Sequence, residues 1–312
     1  MSDTITQSPA TPAAPTPGLL RLYADLVKFR LSLLVVVTSG VGCIMASGPS
    51  IDWLTLLWTV LGTLACASAA NAINQIVETR RDALMHRTRG RPIPSGAMSP
   101  VHGWIVAVLL GYGGVFLLAM LVNLYAAGLA LLTLLLYVLA YTPLKPVTTF
   151  NTLIGAVVGG IPPLIGWVAV TEHLSIGGWI LGGLLFVWQL PHFLSLAWLY
   201  REQYELAGFR MLPSVRGGEN AVCEATLIST LLLIPLSLLS VTLHQAGMVY
   251  GVVALAAGVW FSWKAMMFYK HRSRPTARGA FLASLLYLPV LLLAMVLDRV
   301  PHIETIYVEL AP

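Results

Sequence analysis

Asn74, Glu78 and Asp82 recur at four-residue intervals where a long apolar stretch turns polar, in the run Asn71-Ala-Ile-Asn74-Gln-Ile-Val-Glu78-Thr-Arg-Arg-Asp82. If one helix continues through this run, the three side chains share a face. Arg87, Arg89 and Arg91 follow immediately. Two carboxylates can hold a hydrated Mg²⁺ whose other ligands are substrate phosphates, and arginines grip those phosphates with fork-shaped donors. Ionisable groups in or beside a membrane span are costly and usually functional. The pattern therefore predicts a magnesium–diphosphate site at a membrane surface, with Glu78 and Asp82 as metal ligands, Arg87 and Arg91 as phosphate contacts and Asn71 joining from the adjacent face.

A second group lies further along, Trp188-Gln189-Leu190-Pro191-His192-Phe193 followed by Arg201-Glu202-Gln203-Tyr204-Glu205. Glu202 and Glu205 can face one metal or one basic partner, or simply be surface charges. His192 sits inside an apolar stretch, where it is either a packed residue or a substrate contact. Lys145 ends the stretch Tyr141-Thr142-Pro143-Leu144. It is either a phosphate contact or a lysine whose apolar stem lies along the bilayer while its charge reaches water.

The elements that must position these residues follow from composition. Hydrophobic residues make up 57% of the 312 and charged residues only 10%, with a mean hydropathy of +0.81. A soluble domain carries about 25% charged residues, so a water-soluble globule is excluded and an all-α polytopic membrane protein is predicted. Nine spans are expected, at 31–48, 53–77, 103–121, 124–141, 151–170, 177–199, 222–243, 248–268 and 280–298. Of the 18 Lys and Arg residues, only Arg299 falls on the opposite side of the membrane from the rest in this arrangement. By the positive-inside rule the N-terminus is cytoplasmic, and the net charge of +5 is mostly a topology signal with no pointer to nucleic acid. Residues 1–18, rich in Thr, Ser, Pro and Ala without Lys or Arg, read as a disordered tail. They lack the features of a transit peptide or cleaved signal, which favours a bacterial inner membrane. Residues 19–300 form the membrane domain and 301–312 a short C-terminal tail. Cys43, Cys66 and Cys223 fall inside spans and read as small packing residues. In the fifth span, Pro162-Pro163 should kink or break the helix. Charged clusters at the ends of spans two and six hint at two related four-helix halves.

Together these segments resemble the UbiA superfamily of intramembrane prenyltransferases, and within it the protohaem IX farnesyltransferase branch. The resemblance rests on Asn74-x₃-Glu78-x₃-Asp82-Ala83-x-Met85-x-Arg87-Thr88-x₂-Arg91-Pro92, Tyr141-Thr142-x-Leu144-Lys145 and Gly160-x-Pro162-Pro163-Leu164-x-Gly166-Trp167. It continues in Trp188-Gln189-x-Pro191-His192-Phe193, Ala207-Gly208-x₂-Met211-Leu212-Pro213 and Tyr287-Leu288-Pro289. It implies a nine-helix bundle around a central cavity, in which Mg²⁺ on two acidic motifs holds farnesyl diphosphate for transfer to a vinyl group of haem B. Under it Asn74, Glu78, Asp82, Arg87 and Lys145 are catalytic. Asn71, Arg91, Trp188, His192, Arg201, Glu202, Gln203, Tyr204 and Glu205 contact substrates, and Glu202 supplies the second metal position. That last assignment follows a departure from the family pattern, since Gln203 stands where an Asp is expected. The implied partners are farnesyl diphosphate, haem B, the lipid bilayer and a haem A synthase or terminal-oxidase assembly. A related prenyltransferase acting on an aromatic or quinone precursor is the alternative. A membrane transporter fits less well, because the charges gather at one membrane surface instead of mid-bilayer.

Overall fold

A computed structural model describes residues 18–301; the expected tails at 1–18 and 301–312 lie, but for Gly18 and Pro301, outside the described residues. The chain opens with α1 (Leu19–Leu26), followed by α2 (Phe29–Ala46), α3 (Trp53–Val77) and a single turn, α4 (Thr79–Asp82). Next come α5 (Pro100–Leu121) and α6 (Leu124–Leu135), which runs through a π-helical segment, Leu136–Tyr141, into the short α7 (Thr142–Leu144). The remainder is α8 (Asn151–Thr171), α9 (Ile176–Leu199), the short α10 (Arg201–Leu206), α11 (Gly218–Thr242), α12 (Met248–His271) and α13 (Arg274–Leu297). Among the described residues, nine helical stretches are long and apolar enough to cross a membrane. Their bounds match the expected spans to within six residues at every end.

Local sequence explains the ends. Asp52 starts α3 by accepting hydrogen bonds from the backbone N–H of Leu54 and Thr55, at 2.9 and 3.3 Å. The Thr55 hydroxyl, together with those two N–H groups, holds its carboxyl below the usual range. Ser99 with Pro100 starts α5, Asn123 starts α6, and Ser273 with Thr276 forms a capping box on α13. Each satisfies helix-end N–H groups that have no partner within the helix.

Arg299, the cation expected opposite the others, has a structural occupation. Arg299 donates from Nη1 to the carbonyls of Ile44, Ser47 and Gly48, each at 3.2 Å. These lie at the C-terminal end of α2, where positive charge is favoured. Asp298 accepts from the N–H of Tyr250 at 2.7 Å and so starts α12.

Two expectations about helix continuity are corrected. The Pro162–Pro163 pair does not break its helix: α8 runs through both prolines, which are buried. Tight crossing with α2 holds it, since a Cβ at Gly42 would overlap the Pro163 carbonyl and one at Gly166 the Ser39 carbonyl. Membrane helices tolerate proline where neighbouring helices re-cover the freed backbone. The second helix, conversely, is not continuous through the acidic run: α3 stops at Val77, and Glu78 (φ −89°, ψ 4°) links it to α4.

The largest buried cluster joins α2, α8, α9, α11, α12 and α13 around Trp167, Tyr250, Phe261 and Tyr287. A second, across α3, α5, α6 and α8, is built largely on alanines. Between them lies a hollow that opens toward the end of the bundle carrying the charged connectors.

Candidate active site

The hollow has two parts. The inner part is an apolar chamber of about 180 Å³. It is lined by Val35, Thr63, Cys66, Ala130, Ile165 and Phe193 among others. Along α3, about 22 Å of helix axis separates Thr63 from Glu78. The outer part is polar and holds Lys28, Asn74, Glu78, Asp82, Arg87, Arg91 and Lys145. Tyr137 and Tyr141 line both parts, and Asn71 lines the inner one; the Tyr137 hydroxyl lies 3.5 Å from Asn71 Oδ1.

The hitch at Glu78 does not separate the two carboxylates. The N–H of Glu78 still donates to the Asn74 carbonyl, and that of Asp82 to the Glu78 carbonyl at 2.8 Å, so the four-residue register survives. Glu78 is 5% exposed and Asp82 1%. Each meets a cation: Lys145 Nζ lies 2.8 Å from Glu78 Oε1, and Arg91 Nη1 lies 2.5 Å from Asp82 Oδ2. Asp82 Oδ1 is buried without a hydrogen-bond partner. Burial opposes the Lys145 ammonium, but Tyr141, Glu78 and Tyr137 around it prevail and hold its pKa above the usual lysine value.

Lys145 reaches the cavity because the π segment ahead of it carries one extra residue in its turn. Thr142 Oγ1 donates to the Tyr137 carbonyl five residues back, at 2.9 Å, and the wider turn aims Tyr137 and Tyr141 inward. Such π turns are frequent at functional sites. The Lys145 ammonium sits 4.6 Å from the Tyr141 ring centroid. Its carbonyl accepts from the N–H of Arg210 at 2.8 Å, tying the connector after α10 to this wall.

The two charged connectors meet over the cavity. Arg87 donates from Nη2 to the Tyr204 hydroxyl at 3.3 Å and from its backbone N–H to Gln203 Oε1 at 3.4 Å. Met85 packs with Ala197, Ala207, Phe209 and Met211 beneath them.

Lys28 was counted in the sequence only as a topology charge, yet it belongs to this site. It stands between α1 and α2 with φ +48°, a left-handed conformation that non-glycine residues hold only when their surroundings enforce it. Its Nζ donates to Asn74 Oδ1 at 2.6 Å, while Asn74 Nδ2 donates to Thr142 Oγ1 at 3.3 Å. Burial first, then the charges of Arg91 and Lys145, drive its pKa well below the usual lysine value. The signal available was position alone: a lysine one residue ahead of a span on the side of the acidic run.

Other assignments are corrected. Glu202 lies in a separate surface hollow with Arg201, Glu205 and Glu219, its side chain 75% exposed. It cannot supply a ligand beside Glu78 and Asp82. Arg201 pairs with Glu219 at 3.0 Å and stacks on Trp198, so it, Glu202 and Glu205 do not line the cavity; α10 turns that face outward. Trp188 is buried in the core, donating to the Ser284 carbonyl at 2.9 Å, and does not line the cavity either. His192, Gln203's neighbour Tyr204, and Phe209 do.

The donor set fits Mg²⁺. Glu78 and Asp82 supply hard oxygen ligands, Asp82 Oδ1 is unpartnered, and Mg²⁺ typically takes one or two protein carboxylates while keeping water and substrate phosphate oxygens.

Residues 35–288 match the UbiA prenyltransferase family model. The chain belongs to that family. Curated relatives named protoheme IX farnesyltransferase include one from Salinibacter ruber, 41% identical over 276 residues, covering 88% of this chain and 98% of the relative. One from Opitutus terrae is 42% identical over 278 residues, covering 89% and 94%. Their human mitochondrial counterpart is 38% identical over 286 residues, covering 91% of this chain and 63% of its own length. Among solved structures, a UbiA homologue from Archaeoglobus fulgidus bound to GPP and Mg²⁺ superposes with a TM-score of 0.68 at 13% identity, covering 88% of this chain and 99% of that one. A digeranylgeranylglyceryl phosphate synthase structure gives 0.75 at 20% identity, covering 89% and 98%. At such identities the structural likeness establishes that this UbiA-family chain shares the fold.

Proposed function

We propose that this UbiA-family protein is a protohaem IX farnesyltransferase: it transfers the farnesyl group of farnesyl diphosphate to a vinyl group of haem B, giving haem O and pyrophosphate. The observation that carries the reading is the joining of two buried carboxylates and four cations, Lys28, Arg87, Arg91 and Lys145, to the mouth of an apolar chamber. Farnesyl diphosphate has the same division, a trianionic head on an apolar tail. The relatives' shared name supplies the acceptor.

Glu78 and Asp82 would hold one Mg²⁺, which on binding neutralises diphosphate charge and improves it as a leaving group. Lys145, Arg91, Arg87 and Lys28 donate to phosphate oxygens and stabilise the charge that grows on pyrophosphate as the allylic C–O bond breaks. Asn74 orients Lys28. Thr63, Cys66, Ala130 and Ile165 receive the prenyl tail and keep water from it. Phe193, Tyr204 and Tyr141 present aromatic faces to the allylic cation. No covalent nucleophile is required, consistent with three buried, free cysteines away from the polar cavity.

We place the protein in a bacterial inner membrane, and the segregation of Lys and Arg supports a cytoplasmic N-terminus there. Handing of the product to a haem A synthase or to terminal-oxidase assembly belongs to the same proposal. Mass spectrometry of haems extracted from a strain with and without this protein tests the reading. Haem O present only with the protein supports it; prenylated 4-hydroxybenzoate with unchanged haems would replace it by the related activity.

A further inference from the structure

His192 lines the polar cavity, and the transfer step leaves its chemistry unused. It stacks on Trp188, with ring centroids 5.1 Å apart and planes 20° from parallel, and rests against Phe281 at 5.0 Å. Its Nδ1 is 2.8 Å from Ser284 Oγ on α13. The Ser284 hydroxyl gives its only proton to the Phe281 carbonyl, at 2.6 Å. With its proton placed there, Ser284 accepts from the histidine. That requires the proton on Nδ1 and leaves Nε2 of the neutral ring as a bare acceptor. Among the described residues none donates to Nε2. His192 lines the same cavity as Glu78, Asp82 and Lys145, and there both carboxylates are tied to cations. The ring is thus the base in the cavity that no cation has claimed.

We infer that His192 is a catalytic base that activates the water completing farnesyl transfer; the inference rests on the reading of the reaction given above. The bond between farnesyl C1 and its diphosphate oxygen breaks with its electron pair leaving on pyrophosphate. The terminal vinyl carbon of the haem bonds farnesyl C1, placing positive charge on the inner vinyl carbon beside the porphyrin. A water oxygen bonds that carbon while its proton passes to His192 Nε2, giving the hydroxyl group. The proton then leaves with pyrophosphate, returning the ring to its neutral tautomer. Without His192 to take the water's proton, loss of a proton from the cation's own chain to pyrophosphate competes and yields an olefin lighter by one water.

The test uses the full chain in lipid nanodiscs with Mg²⁺, farnesyl diphosphate and haem B. It reads pyrophosphate release separately from the ratio of hydroxylated to olefinic farnesyl haem. General base assistance is commonly worth ~10²–10⁴-fold. His192→Phe keeps the aromatic packing, so it is expected to go on releasing pyrophosphate while the hydroxylated-to-olefinic ratio falls at least about tenfold. Ser284→Ala, which frees the tautomer but keeps the ring, is expected to give an intermediate ratio. His192→Gln, polar but not basic, should resemble His192→Phe and stands in for it if the phenylalanine variant does not fold. An unchanged ratio in folded His192 variants, or parallel loss of release and hydroxylation, overturns the inference. So does a shift of the haem absorption bands in those variants, which would make His192 an iron ligand. A wild-type protein that forms no farnesylated haem overturns the farnesyl-transfer reading itself and the inference with it.

Discussion

Replacing Asp82 by Asn separates the carboxylate's two duties. The side chain is almost fully buried, and one oxygen faces Arg91 at 2.5 Å while the other has no partner. The substituted amide keeps the shape but removes the charge, leaving Arg91 opposite a neutral group. Breaking a fully buried pair costs about 3–5 kcal/mol. The Arg91 side chain is 20% exposed, so water screens part of this and roughly 2–3 kcal/mol of stability is expected to be lost. Turnover should suffer independently, because the proposed Mg²⁺ site loses one of its two carboxylates. Truncating one partner of a buried charged contact costs ~2–5 kcal/mol, and at about 1.4 kcal/mol per decade kcat/KM should drop roughly 30- to 4,000-fold. The assay is haem O formation in nanodiscs over a range of Mg²⁺, alongside thermal unfolding. An Asp82→Asn, Arg91→Met double variant removes both charges, so it should regain most of the lost stability but none of the lost turnover. Wild-type turnover in the single variant at limiting Mg²⁺, or recovery of turnover in the double variant, would refute the metal assignment.

Lys28 must be protonated to bind diphosphate, and burial with Arg91 and Lys145 lowers its pKa. The affinity it contributes is therefore full below that lowered value and lost as pH rises through it; the KM for farnesyl diphosphate should climb over that rise for wild type and stay flatter for Lys28→Arg, measured by steady-state kinetics. Ala130→Phe would fill the buried end of the chamber, so a shorter allylic diphosphate should displace the farnesyl donor as preferred substrate in direct competition. Arg299→Ala removes three bonds to α2 carbonyls far from the cavity. Thermal stability should fall by about 1–3 kcal/mol with kcat per folded protein unchanged.

The acidic run shows how sequence legibility and local structure part company. Asn74, Glu78 and Asp82 share the cavity as four-residue spacing demands, although α3 stops at Val77 and Asp82 belongs to α4. The register persists because the hydrogen bonds from Asp82 to Glu78 and from Glu78 to Asn74 remain. In the second cluster the same reasoning misled. Glu202 and Glu205 have carboxylate chemistry and helical spacing, but the direction α10 faces depends on how it leaves α9, and the link at Tyr200 (φ −113°, ψ 16°) turns it away from the cavity.

Span positions, the gathering of charge at one end and the pairing of an acidic run with cations could all be read from the chain alone. Each depends on short-range periodicity or on the cost of carrying charge through lipid, and both act on every residue according to its place in sequence. Contacts between distant segments decided the rest. Lys28 meets Asn74 across 46 positions, Arg87 meets Tyr204 across 117, and the His192 tautomer is set by Ser284 across 92. Such partners are chosen by helix packing, where glycines at Gly42 and Gly166 let backbones cross closely, and packing is a property of the assembled bundle that no local stretch encodes.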